Sequence, residues 1–465
     1  FDKHARWTVP LSTFPLKERP PEERDWTSKV KASQAQLDSL DTIRSCGNTD
    51  GCHREIVDEH LRSIHNITVR PKYFQTNLKD MEMEIGGGNS VICAGCHYPG
   101  GALDRKKDFE YYRTRDNFSC VQCHSIDESK VIDKRHAWYR VSPPWGHLGL
   151  FPSGNGKVSA RDRAFIRLNA AGHRRAFTRP IHFKDEYCSA CHHQQMPPAV
   201  TPGLRNPPCI MCHMQPQSVL GGTTNKKSHL FAGANPGPAT LTGDIKTASL
   251  IRRWAEGRIV LKLRGWETLW TIRFKSSDKI KSVPWIMVTF YYNIPPRPGK
   301  DFKLYIVSTN TGLGHDFPSA SIDLARAWLE FTASDGKGRT FCEKGVIPGN
   351  GKIPKDTPNL GGHMIGLDGK IVTRNRVWQV QKKVIERVIP NNLEIKDEIV
   401  CRIPDDPGGS ISVSAKWNYR KLDQDFLDYA YGNGKVSIPP VIAGANSCEI
   451  PVSQEKRKFR PDTGY

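Results

Sequence analysis

No run of eighteen apolar residues occurs anywhere in the 465-residue chain, so no helix is expected to cross a membrane. The chain opens at Phe1 with neither Met nor an apolar leader, and a processed, exported protein is expected. Apolar residues are scarce. Hydrophobic types make up 37% of the chain, or about 43% with glycine counted in and tyrosine out, below the ~45–50% of ordinary globular domains. A core can form, but something other than side chains is expected to fill part of it. Acidic residues are sparse in one band. Residues 151–300 hold 7 acidic against 23 basic side chains, whereas 1–150 (21 and 22) and 301–465 (20 and 23) are near balance. Most of the net charge of +20 thus sits in the middle, which suggests an acidic partner, bound anionic groups, or both. Nucleic-acid motifs are missing, with no finger, basic zipper or RNP sequence, so nucleic acid is not an expected partner. The length implies two or three domains.

Cysteine is not scarce. Ten of the 13 cysteines lie between positions 46 and 212. Eight form C-x-x-C pairs: Cys93/Cys96, Cys120/Cys123, Cys188/Cys191 and Cys209/Cys212. A histidine follows each pair at once: His97, His124, His192 and His213. C-x-x-C alone is compatible with zinc, a redox dithiol or an iron–sulfur cluster. C-x-x-C-H is the attachment signal of c-type haem. Two thiols add to the haem vinyl groups, and the next residue ligates the iron. Four chance histidines in these places have a likelihood of roughly one in a million at this histidine content. A fifth site, CGNTDGCH at 46–53, is wider. Cys46 and Cys52 can still present both sulfurs if the loop bulges, with Gly47 and Gly51 allowing the turns and His53 as ligand. The alternative is a small disulfide loop. Five haem c groups are expected, four of them on regular motifs.

Residues 46–65, CGNTDGCHREIVDEHLRSIH, resemble the opening of many multihaem cytochromes c: a motif, a short helix, then Ser-x-His. SCVQCHSID at 119–127, YCSACH at 187–192, PCIMCHM at 208–214 and SHLFAG at 228–233 continue the pattern. Together they are similar to the nitrifier tetrahaem cytochrome c family and its larger relatives, which carry a C-terminal β-sandwich domain. The resemblance covers residues 40–235, and the wide first motif departs from it. It implies distal ligands at His65, His173, His182 and His229. His315, in GLGHDFP, is the fifth candidate; a similar Gly-His-x-x-Pro loop follows the haem region in the relatives. His147 is a sixth, with His136, His60 and His193 in reserve. Each could instead be an ordinary histidine bonded to backbone.

The expected fold is multidomain: a haem-packed, mostly α and irregular cytochrome domain followed by an all-β antiparallel sandwich. Residues 1–45 are expected as an extended, Pro-rich arm, with a helix over 26–43 and His4 able to reach a neighbouring subunit. Residues 46–240 are expected as the pentahaem domain, and 241–465 as a linker and sandwich. FKLYIVSTN (302–310), RAWLEFTAS (326–334), VWQVQKKVIERVI (377–389) and SISVSAKWNYR (410–420) alternate as strands. Asp335-Gly336, Asp368-Gly369 and Pro407-Gly408-Gly409 supply turns. Trp254, Trp266, Trp270 and Trp285 are expected to join the two domains. Of Cys342, Cys401 and Cys448, two are expected to form a disulfide and the third to be buried. Asn66 and Asn117 stand in N-x-S/T sequons.

Such a chain is expected to carry electrons outside the cytoplasm, in the periplasm or at the cell surface. Its partners would be acidic redox proteins, and it could polymerise into a cytochrome filament. The alternative is a multihaem oxidoreductase acting on nitrogen or sulfur compounds at one haem with an open position.

Overall fold

The structure, a computed structural model, describes residues 6–12, 33–86, 91–104, 106–132, 136–148, 150–151, 156–192, 208–216, 225–264, 266–275, 285–293, 295–311, 313–319, 321–349 and 351–453. His4 and His193 lie outside these residues, as does the side chain of His136.

The N-terminal half is short helices and loops around a small sheet. Its strands are β1 (Trp7–Ser12), β2 (Ile126–Val131) and β3 (His136–Val141), in the order β1-β3-β2. Part of the expected arm is therefore core. β1 pairs with β3, and Trp7, Val9 and Leu11 are buried against Tyr98, Tyr139 and Leu148. The alternation of Trp-Thr-Val-Pro-Leu-Ser puts three apolar side chains on one face. The expected helix over 26–43 is described only as a short one, Gln34–Ser39, capped by Ser33.

Longer helices follow: α1 (Arg54–Arg62), α2 (Lys72–Ile85), α3 (Ala160–Leu168) and α4 (Ala170–Phe177). No side chain of α3 or α4 is buried. The two sequons are closed to solvent. Asn66 and Asn117 are both buried, and Asn117 N–H donates to Asn66 Oδ1 at 2.9 Å.

The C-terminal half is antiparallel. After β4 (Ile259–Arg264) come the paired β5 (Trp266–Lys275) and β6 (Trp285–Asn293), which hold Trp266, Trp270 and Trp285. Then follow β7 (Asp301–Asn310), β8 (Arg326–Asp335), β9 (Thr340–Lys344), β10 (Asn359–Gly366), β11 (Ile371–Val372) and β12 (Val380–Arg387). Last are β13 (Glu394–Arg402), β14 (Ser410–Arg420), helix α5 (Gln424–Tyr431) and β15 (Val441–Pro451). One sheet runs β11-β10-β8-β14-β15, with β12 on β10 and β9 on β8; another runs β13-β7-β4. The two share one core, with Ile259, Leu304 and Ile399 on one side and Leu329, Phe331 and Trp417 on the other. Trp417 Nε1–H donates across it to Ser308 Oγ at 2.7 Å. A buried indole needs such a partner. The Asp-Gly pairs fall in the β8–β9 and β10–β11 turns.

Cys342 in β9 and Cys401 in β13 form a disulfide with Cα atoms 5.9 Å apart. Cys448 is exposed on β15, not buried as expected, because its side chain falls on the outer face of an edge strand.

The two halves meet at α2. Tyr429 in α5 donates to Asp80 Oδ2 at 2.7 Å, and Trp378 Nε1–H to Glu84 Oε2 at 2.7 Å. Asn77 Nδ2 donates to the Asn375 carbonyl at 2.9 Å.

Candidate haem-binding cavity

Each regular motif lies on one short helix: Val91–His97, Cys120–His124, Asp185–His192 and Cys209–His213. Residues at i, i+3 and i+4 share a helix face, so both cysteines and the histidine point the same way. Local chemistry starts one of these turns, that of Cys120–His124. Ser119 Oγ accepts from Gln122 N–H at 2.9 Å, and Gln122 Oε1 accepts from Ser119 N–H at 3.1 Å, a reciprocal cap.

The wide motif is built differently. Cys46 ends a 3-10 turn, and Cys52 and His53 lead into α1. His53 N–H donates to the Cys46 carbonyl at 3.0 Å, closing the loop. Gly51 has φ of +79°, the left-handed conformation that a side chain disfavours. Thr49 Oγ1 accepts from Val158 N–H at 3.0 Å and ties the loop to the segment before α3.

All ten motif cysteines and all five motif histidines line a single cavity of about 2740 Å³. Small-molecule sites hold roughly 300–1,000 Å³, so this space is several times larger. His60, His65, His173, His182, His229 and His315 also line it; His147 does not. His147 instead lies beside His173, ring centres 6.1 Å apart.

Two imidazoles on opposite sides of one metal stand with ring centres about 6 Å apart, given metal–nitrogen bonds of ~2 Å. Three motif histidines have a partner at that spacing: His53–His173 at 6.3 Å, His192–His65 at 6.2 Å and His124–His229 at 6.2 Å. His213 and His315 are electrostatic neighbours. Among the described residues no imidazole faces His97 at that spacing; the ring against it is Phe74, at 4.7 Å.

Several of these rings are oriented by carbonyls. Nδ1–H of His124 donates to Phe177, that of His213 to Ala232 at 2.7 Å, that of His229 to Lys227 at 3.0 Å and that of His315 to Asp316 at 2.9 Å. This bond places the lone pair on Nε2, as in metal-ligating histidines. His182 is the opposite case. Its Nδ1 accepts from Arg179 N–H at 3.1 Å, which puts the proton on Nε2. Its ring is edge-on to His124 at 5.1 Å. Burial holds His65 at about 3 and His97, His124, His182 and His229 at about 4, below the ordinary ~6.5. They are neutral at pH 7, the form that ligates metals.

The motifs also touch one another. Cys120 is in hydrogen-bond contact with Cys46, Cys191 with Cys96, and Cys188 with Cys209. Cys123 lies within the field of Cys188. The sulfurs therefore run from the first motif to the third to the fourth, and the second and fifth both meet the fourth. The donor set, paired thiols beside Nε2-presenting imidazoles on the wall of one apolar cavity, fits covalently attached haem.

The His315 loop is clamped from below. Asn310 Nδ2 donates to the His315 carbonyl at 2.9 Å, and Asn391 N–H to Asp316 Oδ1 at 3.0 Å. Gly314 turns with φ of +75°, and Phe317–Pro318 is cis. Trp254 lies tilted against His213 with ring centres 5.4 Å apart, and Arg258 lies over Trp254.

The fold has a counterpart. A penta-heme cytochrome c552 from Thermochromatium tepidum matches with a TM-score of 0.51 and 14% identity, over 89% of this chain and 100% of that one. The likeness is one of fold. It extends through helices and sheets alike. The sporulation control protein Spo0M from Bacillus subtilis matches at a TM-score of 0.16 and 9% identity, over 43% of this chain and 51% of its own. That match carries no argument. No protein-family model matches the chain, and no curated protein matches it.

Proposed function

We propose that the chain is a pentahaem electron carrier that works outside the cytoplasm. The carrying observation is that all ten motif cysteines and five motif histidines line one cavity, with sulfurs of the first and third, second and fourth, and fourth and fifth motifs in contact. Haem c supplies one-electron oxidation and reduction when attached. The chain's own residues do the rest. Cys46/Cys52, Cys93/Cys96, Cys120/Cys123, Cys188/Cys191 and Cys209/Cys212 hold the groups. His53, His97, His124, His192 and His213 ligate them from one side. His173, His229, His65 and His315 would supply the second ligands, paired with His53, His124, His192 and His213 in turn. Two imidazoles leave an iron no open position, which suits electron transfer over substrate turnover. The fourth motif is the hub of the array. The Cys342–Cys401 disulfide favours an oxidising compartment.

A filament of stacked subunits is one assembled form of this reading. Deleting residues 1–25 is no clean test of it, because the deletion removes β1 and its buried Trp7, Val9 and Leu11. A second reading rests on His97. With Phe74 against it and no described imidazole opposite, the second motif is where an oxidoreductase would keep an open iron.

Intact mass and the reduced spectrum with carbon monoxide separate these readings. Five haem masses are expected, and no carbon monoxide shift from the four irons for which two histidines are named. A shift of about one haem in five would favour the oxidoreductase. Four haem masses would return the Cys46/Cys52 loop to a disulfide.

A further inference from the structure

The hairpin formed by α3 and α4 is amphipathic in an unusual way. Its inner face, Ile166, Ala170, His173 and Phe177, lines the cavity. Its outer face carries Phe165, 51% exposed, and Leu168, 90% exposed; neither lines the cavity. Arginines frame them. Residues 160–184 hold seven Arg or Lys against one Asp; Arg161, Arg175 and Lys184 are exposed and do not line the cavity, whereas Arg167 and Arg174 are exposed at its rim and line it. None of these five makes an ion pair with a described residue. Uncovered apolar side chains beside charges of one sign mark a surface that a partner of opposite charge can cover.

The position of this face is as telling as its composition. His173 reaches through the hairpin to lie parallel to His53, planes 12° apart. The guanidinium of Arg167 lies directly against Gly51 of the wide loop. The hairpin therefore overlies the first motif, at one end of the sulfur-to-sulfur series, with Phe165 and Leu168 on its far side.

We propose that the outer face of this hairpin docks an acidic one-electron carrier protein, which exchanges electrons with the haem held by His53 and His173. This rests on the electron-carrier reading above. The step is simple: the partner's reduced iron–sulfur or flavin centre loses one electron and ferric iron becomes ferrous, with no bond made or broken. Acidic side chains around the partner's cofactor match Arg161, Arg175 and Lys184, and its apolar centre covers Phe165 and Leu168. An anionic membrane offers the same charge, but two large apolar side chains on helices of nine and eight residues make a small anchor. A membrane also brings no electron to the first motif.

The test uses the full haem-loaded protein and reduced plant-type [2Fe–2S] ferredoxin, a small acidic donor. Uncharged lumiflavin semiquinone serves as the control donor. Stopped-flow reduction is followed at rising salt, and oxidised ferredoxin is titrated separately for affinity. In Arg161→Glu/Arg175→Glu the ferredoxin rate should fall on the order of ten-fold, with a matching loss of affinity and an unchanged lumiflavin rate. Raising salt from ~0.05 to ~0.5 M should do the same to the unaltered protein, which preserves the test should the double variant not fold. Ferredoxin rates indifferent to both charge and salt, beside normal lumiflavin reduction, would overturn the docking surface and leave the carrier reading intact. Haems that accept electrons from neither donor would overturn the carrier reading itself. Vesicles rich in phosphatidylserine that bind the protein, but not Leu168→Ser, while ferredoxin rates stay equal, would reassign the face to a membrane and overturn the proposal.

Discussion

His124 and His229 stand with ring centres 6.2 Å apart and planes 28° from parallel, although 105 residues separate them in the chain. Each Nδ1–H is tied to a carbonyl, so the two Nε2 lone pairs are free. His182 is nearer to His124 in sequence and in space. Its Nδ1 is occupied as an acceptor from Arg179 N–H, and its Nε2 therefore carries a proton.

That contrast is open to measurement. His229→Ala should leave one iron high-spin and able to bind carbon monoxide. His182→Ala should keep all irons low-spin. Electron paramagnetic resonance of the oxidised variants distinguishes them, and the reverse result would exchange the two assignments.

His315 should act as the ligand that ties the two-sheet half to the haem cavity. His315→Ala is expected to produce carbon monoxide binding by about one haem in five. The loop itself should stay in place, because Asn310 and Asn391 bond to its backbone and to Asp316, not to the imidazole. An unaltered low-spin spectrum would move the His213 ligand elsewhere.

The disulfide links the two sheets and closes a loop across a sequence separation of 59. Chain entropy alone then contributes about 4 kcal/mol. Cys342→Ala/Cys401→Ala should lower the melting temperature of this half by on the order of 10 °C, read by near-ultraviolet circular dichroism, and leave the haem mass unchanged.

Asp323 is buried, and neither carboxylate oxygen receives a hydrogen bond from another described residue. Burial raises its pKa to about 6 from 3.8. The folded chain thus keeps this proton up to about pH 6, whereas the unfolded chain releases it near 3.8. Stability should fall as pH rises through this window and stay lower above it. Asp323→Asn removes the penalty. It should stabilise the protein at pH 7.5 by up to about 3 kcal/mol and have no effect below about pH 3.5, as followed by denaturant midpoints. A gain that is the same at every pH would mean that ionisation is not the cause.

The amino-acid sequence by itself determined whatever depends on neighbours within one helical turn. Cys-x-x-Cys-His is such a feature: once Cys120–His124 is helical, the two sulfurs and the imidazole share a face. Strand alternation in 302–310 and 410–420, and the Asp-Gly turns, are local in the same sense. Tertiary structure decided everything that pairs residues from distant parts of the chain. Sequence spacing holds no record of which imidazole meets which, because His65, in the 3-10 turn Ile64–Ile67, meets His192 of the fourth motif's helix only in the folded chain. Nor could it show that Cys342 would choose Cys401 over Cys448, since that depends on β9 and β13 lying on facing sheets. The burial of Trp7–Ser12 was hidden for the same reason. A Pro-rich segment looks extended whether it is free or paired, and only β3, some 130 residues later, supplies its hydrogen-bond partners.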